Sequence, residues 1–299
     1  LYRSCRSETQ GLMVTEWSNR TVSNHIDLSV LLPVYRGDDP VTLRTAIESV
    51  VEQSRPPDEL VIVRDGPLSE MLDTVIDDFR SEGSVPVRRV TLSENLGLGG
   101  ALREGLQHCR GEFTARMDAD DLSVPRRFEM QTTYLERHPD VDLLGGYISE
   151  FDDDPENPLA IREVPTEHDE IADMARFRSP FNHATVVMRT EAALNAGNYR
   201  AVNYMEDWDL WSRMLLDGAT ASNLPEVLLH VRAGEAMYGR RGGIGYTRAE
   251  FGRQTEFLRR GFVTPGQYLR NLIVRVPVRV VPDAVRGAIY RRFLRADRK

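Results

Sequence analysis

Short apolar runs alternate with segments of helical spacing through the first half of the chain. Residues 26–34 (IDLSVLLPV) form the continuous apolar run that a buried parallel strand requires. Pro33 is expected to end it, having no N–H to give to a ladder. Over 41–53, Leu43, Ile47, Val50 and Val51 share one helical face, and Pro56-Pro57 stops that helix. A strand is predicted over 59–63, running into Arg64-Asp65-Gly66, and a helix over 71–79. A third strand over 87–92 passes through a glycine-rich turn into a helix over 99–108. A fourth, over 112–117, runs straight into four residues, DADD.

The second half is less regular. Helices are predicted over 126–137, 206–216 and 251–262, and strands over 141–149 and 185–188. An acidic loop spans 152–158, and a basic tail broken by Pro277 and Pro282 closes the chain. No internal repeat is present. Strand–helix alternation makes this an α/β protein with right-handed βαβ crossovers and a parallel sheet. In such sheets ligands bind beyond the carboxyl ends of the strands. The polar residues predicted at those ends are Tyr35, Asp65, Asn95 and Asp118 through Asp121.

Charge sharpens the domain picture. The net charge of −8 argues against a nucleic-acid partner. Its distribution is uneven: nine Lys/Arg face two Asp/Glu between Leu269 and Lys299, leaving an acidic body with a basic tail. Within that tail Val285, Ala288, Ile289 and Phe293 share a helical face flanked by Arg286, Arg291, Arg292 and Arg295. That pattern suits an interfacial helix on anionic lipid, and equally a helix packed on the domain. Residues 1–25 are polar and irregular, without the apolar stretch of a signal peptide, and are expected to be loose. No run approaches the ~18 apolar residues that span a bilayer. Two cysteines, Cys5 and Cys109, are too few for a disulfide framework or a four-cysteine zinc site. A cytoplasmic protein follows, peripheral to the membrane if the tail binds lipid, with Cys109 as a packing residue.

Several groups carry candidate chemistry. Along an extended backbone Asp118 and Asp120 point the same way. Clustered carboxylates repel unless a cation neutralises them, and hard oxygen ligands suit Mg²⁺ or Mn²⁺. The alternative is a solvated acidic turn with Asp121 as a helix N-cap. Glu206-Asp207 offers a general base, or simply first-turn acids favoured by the helix dipole. Trp208 and Trp211 read as packing or rim residues, and His183 as a loop histidine before a strand. The turn Asn95 to Gly100 lacks the G-x-G-x-x-G spacing of a dinucleotide loop. Arg103, in the helix that follows, is suited to diphosphate or to plain surface exposure.

In their order and spacing, SVLLPVYRGDDPVTLRTAIESVVEQSRPPDELVIVRDGP, ENLGLGGALREGLQHCRGEFTARMDADD, NHATVVMR and MEDWDLWSRML resemble family 2 glycosyltransferases, which have the GT-A fold. The likeness extends over about 26–243 and is strongest to enzymes building surface polysaccharides, amylovoran and O-antigen types among them. It implies a Rossmann-like, mostly parallel sheet flanked by helices over 26–243, followed by a helical basic tail over 244–299. It also implies transfer of one sugar, with inversion, from a nucleotide-diphosphate sugar, UDP above all, to a lipid-linked saccharide.

The resemblance assigns roles. Pro33, Val34 and Tyr35 would line the base pocket, and Asp65 would accept from the base. Asn95 and Arg103 would serve the donor, Arg103 at the diphosphate. Asp118 would contact ribose or sugar, and Asp120, with Asp118 and Asp121, the metal. Asp207 of the Glu206-Asp207 pair would be the base, with His183 and Trp208 on the acceptor side. Two departures stand out. Arg64 replaces the first acid of the usual D-D-G-S, and Glu235 lies near where a further histidine ligand often stands. The Q-x-x-R-W signature of processive synthases is absent, which favours single addition. The rival classes are a sugar nucleotidyltransferase, whose glycine-rich signature PVYRGDD lacks, and a non-catalytic nucleotide-sugar-binding module.

Overall fold

The computed structural model describes residues 25–152, 154–232 and 243–280. Strands β1 (Leu28–Tyr35), β2 (Glu59–Asp65), β3 (Val87–Thr91) and β4 (Phe113–Arg116) alternate with helices α1 (Pro40–Val51), α2 (Glu70–Glu82) and α3 (Gly97–Leu106). They stand in the order β3-β2-β1-β4, all parallel. The chain continues with β5 (Leu122–Ser123), α4 (Arg127–Arg137), β6 (Val141–Phe151), β7 (Ala160–Arg162) and α5 (His168–Ala175). A 3₁₀ turn, His183–Thr185, precedes β8 (Val187–Arg189), α6 (Thr190–Asn195), α7 (Glu206–Leu216) and β9 (Thr220–Arg232). Two helices close the described chain, α8 (Ile244–Arg259) and α9 (Pro265–Val280).

The sheet extends past β4 through β8, β6, β9 and β5, with β7 on β6. β8 is antiparallel to both β4 and β6, which sets β6, and β9 beside it, in the direction of β1 to β4. β5, β7 and β8 oppose that direction. The sheet is therefore mixed but mostly parallel, as expected.

Alternation along β1 builds two cores. Leu28, Val30, Leu32 and Val34 meet Leu43, Ile47 and Val50 of α1 and Ile76 of α2 on one face. Leu31 meets Leu102 and Leu106 of α3 and Trp211 of α7 on the other. Asp39 caps α1, its carboxylate accepting from the N–H groups of Val41 (2.9 Å) and Thr42 (3.0 Å), with Pro40 at the first helical position. Cys109 is buried, and burial pushes its thiol up to about 12, so it packs and does not react.

Two proline expectations fail. Pro33 lies inside β1, in register with Val63. Its missing donor points to the β4 side, where the ladder has already ended at Leu31 and Arg116. Pro277 falls within α9. The N–H it lacks would have served the carbonyl four residues back, that of Ile273, a residue on the exposed side of the helix.

A third core lies between α7 and α8, where Met205, Trp208, Tyr246, Phe257, Phe262 and Val263 cluster. α9 is tied down beside it: Arg275 chelates buried Glu250 of α8 (2.6 and 3.0 Å) and lies over the Trp208 ring. The chain after Gly243 thus packs on the domain through its described length. Pro282, the stretch carrying Val285 to Arg295, and Glu235 lie outside the described residues.

Candidate active site

The carboxyl ends of β3, β2, β1 and β4 form one edge, and the loops leaving it carry the predicted polar residues. Asp65, at the end of β2, is buried. Its Oδ1 accepts from the Leu96 N–H at 2.6 Å, and its carbonyl accepts from Asn95 Nδ2 at 3.3 Å. Asp65 thereby supplies the cap that α3 lacks at its own start, and binds the β3–α3 turn to β2. Gly66 follows at φ +82°, so close that a Cβ would meet the Asn95 nitrogen at 2.7 Å. Arg64 turns away to pair with Asp73 at 2.6 Å.

Of the three predicted base-pocket residues, Tyr35 is 45% exposed and Pro33 partly so. The Val34 side chain is sealed in the core, so only its backbone can meet a ligand. Arg103 pairs with adjacent Glu104 (2.7 and 3.0 Å).

The acidic turn is built around an arginine. Arg116, at the end of β4, is buried, and its guanidinium contacts the Asp118 carboxylate. Ala119 and Asp120 form a turn and do not continue the strand. The turn nonetheless gathers the carboxylate oxygens of Asp118, Asp120 and Asp121 within 4.8 Å of one another. Asp120 is exposed and Asp118 35% so. Asp121 is buried and accepts the Arg232 N–H. Burial, then the charges of Asp118 and Asp120, push its carboxyl well above the usual range. Asp121 is not an N-cap: it leads into β5, which pairs with the end of β9, and Arg126 occupies the cap position of α4. Arg127 fastens the turn from beneath. Fully buried, it donates to the carbonyls of Arg116 and Ala184 (2.9 Å each) and to Ser123 Oγ (3.2 Å).

α7 brings the second acidic pair. Glu206 is buried, and its carboxyl is raised to about 7, by burial first and by Asp207 next; Arg116 opposes the rise and Asp118 adds to it. Glu206 is thus within electrostatic reach of the DADD turn. Asp207 is half-buried and accepts from Ser179 Oγ at 3.0 Å. His183 Nε2 lies 3.0 Å from the Tyr199 hydroxyl, and burial, then Arg116, hold its pKa well below 6.5. Tyr199 in turn feels Arg116, Asp207 and Glu206. One buried guanidinium therefore couples Asp118, Asp121, Glu206, Tyr199 and His183.

The approach to this pair is strained. Tyr204 and Met205 are both left-handed, at φ +67° and +61°. Such a conformation costs non-glycine residues on the order of 1–3 kcal/mol each.

Trp208, expected on the acceptor side, offers almost no exposed surface there. It is buried in the third core, its indole donating to the Ala175 carbonyl at 2.7 Å, because position i+2 from Glu206 falls on the opposite face of α7. Sequence reasoning missed Arg116, Arg127 and Tyr199. For Arg116 a signal existed, since a charged residue within a buried strand needs a partner.

The sequence profile of glycosyl transferase family 2 matches residues 29–201, more than half of the chain. The chain belongs to this family. As a family 2 glycosyltransferase it is a transferase of the EC 2.4 class, which sets aside the nucleotidyltransferase and non-catalytic readings. It is 38% identical over 274 residues to the amylovoran biosynthesis glycosyltransferase AmsE of Erwinia amylovora, covering 91% of this chain and 99% of that one. It is 33% identical over 267 residues to the UDP-Gal:alpha-D-GlcNAc-diphosphoundecaprenol beta-1,3-galactosyltransferase of Escherichia coli, covering 89% and 96%. Its fold is that of GT-A glycosyltransferases. S. aureus TarS 1-349 in complex with UDP-GlcNAc superposes with TM-score 0.63 at 17% identity, covering 85% of this chain and 72% of that one. The Pyrobaculum calidifontis mannosyltransferase PcManGT, in complex with GDP-Man and Mn²⁺, gives 0.61 at 16%, covering 92% and 76%.

Proposed function

We propose that this glycosyltransferase moves one sugar from a UDP-sugar to a hydroxyl of a lipid-linked saccharide, with inversion. What supports the reading is that Arg116 contacts Asp118 of the DADD turn, and that Glu206, next to Asp207 on α7, feels the charges of both Arg116 and Asp118, at the carboxyl edge of the parallel strands. The amylovoran and galactosyl relatives supply the substrate class, since the latter is named for a UDP-sugar donor and a diphosphoundecaprenol acceptor.

Asp207 takes the proton of the acceptor hydroxyl as its oxygen attacks the anomeric carbon. The new C–O bond forms as the bond to the diphosphate breaks on the opposite face, and UDP leaves. Ser179 orients Asp207 through its hydrogen bond. Tyr35 and Pro33 cover the base, with Asp65 holding the turn that carries Asn95. Arg103 serves the diphosphate after leaving Glu104, a half-exposed pair worth only ~0–1 kcal/mol. His183 stands on the acceptor side beside Tyr199.

The cluster suits a hard divalent cation: three carboxylates offer oxygens within 4.8 Å of one another, one of them from an exposed side chain. Asp120, with Asp118 and Asp121, would hold Mn²⁺ or Mg²⁺, which supplies positive charge for the departing diphosphate.

No helix among the described residues is long and apolar enough to cross a membrane. A peripheral seat on the cytoplasmic face fits the outward side of α9, where Leu269 and Ile273 are 58% and 64% exposed just before the arginine-rich end of the chain. The deciding test is incubation of purified protein with UDP-galactose and UDP-N-acetylglucosamine and a diphosphoundecaprenol-linked saccharide acceptor, with and without Mn²⁺. Metal-dependent release of UDP is expected. Release of UMP and sugar phosphate, or no turnover of either donor with Mn²⁺, would refute the reading.

A further inference from the structure

Several contacts that hold residues 200–209 come from α8, which lies beyond the family match at 29–201. Tyr204 and Met205 enter α7 with left-handed backbone, and neither is glycine. Such a conformation persists only where the surroundings over-determine it. The Tyr246 ring of α8 lies 4.8 Å from that of Tyr204. Met205 is buried with Tyr246 and Phe257 of α8.

One turn further along α7, Asp209 is fully buried. Its carboxylate contacts Arg253 of α8, Arg260 at the end of α8 (3.3 Å) and Arg213 of its own helix (2.9 Å). Glu256 of α8 takes Arg200 at 2.8 Å. The Arg200 carbonyl in turn presses on the first turn of α3: a Cβ on Gly99 would come within 2.4 Å of it and 3.2 Å of Glu206 Cβ. α8 therefore grips both sides of the Glu206-Asp207 pair and, through Arg200, the glycine-rich turn beside it.

We propose that α8 is the positioning element of this active site. Tyr246 and Arg253 hold residues 204–209 so that Glu206 and Asp207 face the DADD turn. The proposal rests on the reading of Asp207 as the proton acceptor. Neither Tyr246 nor Arg253 touches substrate; they act through α7, where a displacement of about 1 Å can cost up to about 100-fold in rate.

The test uses the full chain with Mn²⁺, a diphosphoundecaprenol-linked saccharide acceptor and whichever of UDP-galactose and UDP-N-acetylglucosamine turns over faster, reading kcat and KM for UDP release. Calorimetric UDP binding confirms folding. Tyr246→Ala is expected to lower kcat about 10-fold or more, with KM within twofold. Tyr246→Phe, which keeps the ring, is expected to restore kcat to within twofold of the parent. Should Tyr246→Ala fail to bind UDP, Tyr204→Ala removes the same ring contact from its half-exposed side and is expected to show the same split. Arg253→Lys, which keeps a cation on Asp209, is expected to fall between. If kcat stays within twofold in the alanine variants and in Arg253→Lys while Asp207→Asn is inactive, the proposal is overturned and the base assignment stands. If the loss appears wholly in KM, it is likewise overturned. If Asp207→Asn keeps parental kcat, the underlying reading fails instead.

Discussion

Arg116 and Asp118, two residues apart at the end of β4, place a buried guanidinium directly against the first carboxylate of the acidic turn. That contact organises the site before any ligand arrives. It neutralises one acid of three, opposes the rise in Glu206, and adds to the depression of His183 that burial begins.

Asp207→Asn keeps the shape and the Ser179 contact but cannot take a proton. UDP release with Mn²⁺ should fall by at least ~100-fold, with UDP affinity unchanged. Steady-state rates and calorimetry together check this, and near-parental turnover would require another base.

Asp120 is the exposed member of the cluster, so its substitution should spare the fold. Asp120→Asn is expected to abolish stabilisation by Mn²⁺ and UDP in thermal melts while leaving the melting point of the free protein within ~2 °C, as for surface changes of under ~0.5 kcal/mol. An unchanged Mn²⁺ response would remove Asp120 from the metal's ligands.

Glu206 sets a pH dependence. Its carboxyl is raised from 4.5 to about 7 in the folded state, so folding favours the protonated form. This contribution is fully present below about pH 4.5 and is lost as pH rises through about 7. Glu206→Gln, which cannot ionise, should lack that loss. Denaturant midpoints measured from pH 5 to 8 should fall for the parent relative to the variant, and parallel curves would contradict the assignment.

Arg127 donates to two backbone carbonyls and to Ser123 from a fully buried position. Arg127→Met fills much of the volume but orphans those acceptors, each worth ~1–3 kcal/mol when left unsatisfied. A loss of about 3–5 kcal/mol in urea unfolding is expected. A loss below ~1 kcal/mol would mean that water replaces the guanidinium.

The outward face of α9 offers a membrane test that leaves the core intact. Leu269→Asp with Ile273→Asp changes two exposed residues. Flotation with vesicles containing anionic lipid should drop at least threefold, consistent with about 1 kcal/mol or more lost per buried side chain. Equal flotation of parent and variant would assign membrane contact elsewhere or exclude it.

Hydrophobic periodicity, with its proline and glycine stops, located β1 through α3, α4 and α7, apart from the end of β1, because each buries a face whose spacing is written locally: Val30 and Leu32 against α1, Leu43 and Ile47 against the sheet. It also located Asp65, Asn95 and the DADD turn at the strands' carboxyl ends, since parallel crossovers leave no other place for them. What the chain could not show by itself was which partners meet across long sequence separation. Pro33 continues its strand only because β4 stops at Arg116. Trp208 is buried because its face of α7 meets Phe257 of α8 and Phe262 beyond it. Arg116 and Arg127 gain their roles only when a buried charge must find acceptors on Asp118, Ser123 and Ala184. Local pattern encodes the elements; desolvation of charge between elements decides which side chains converge, and that exists only in the folded chain.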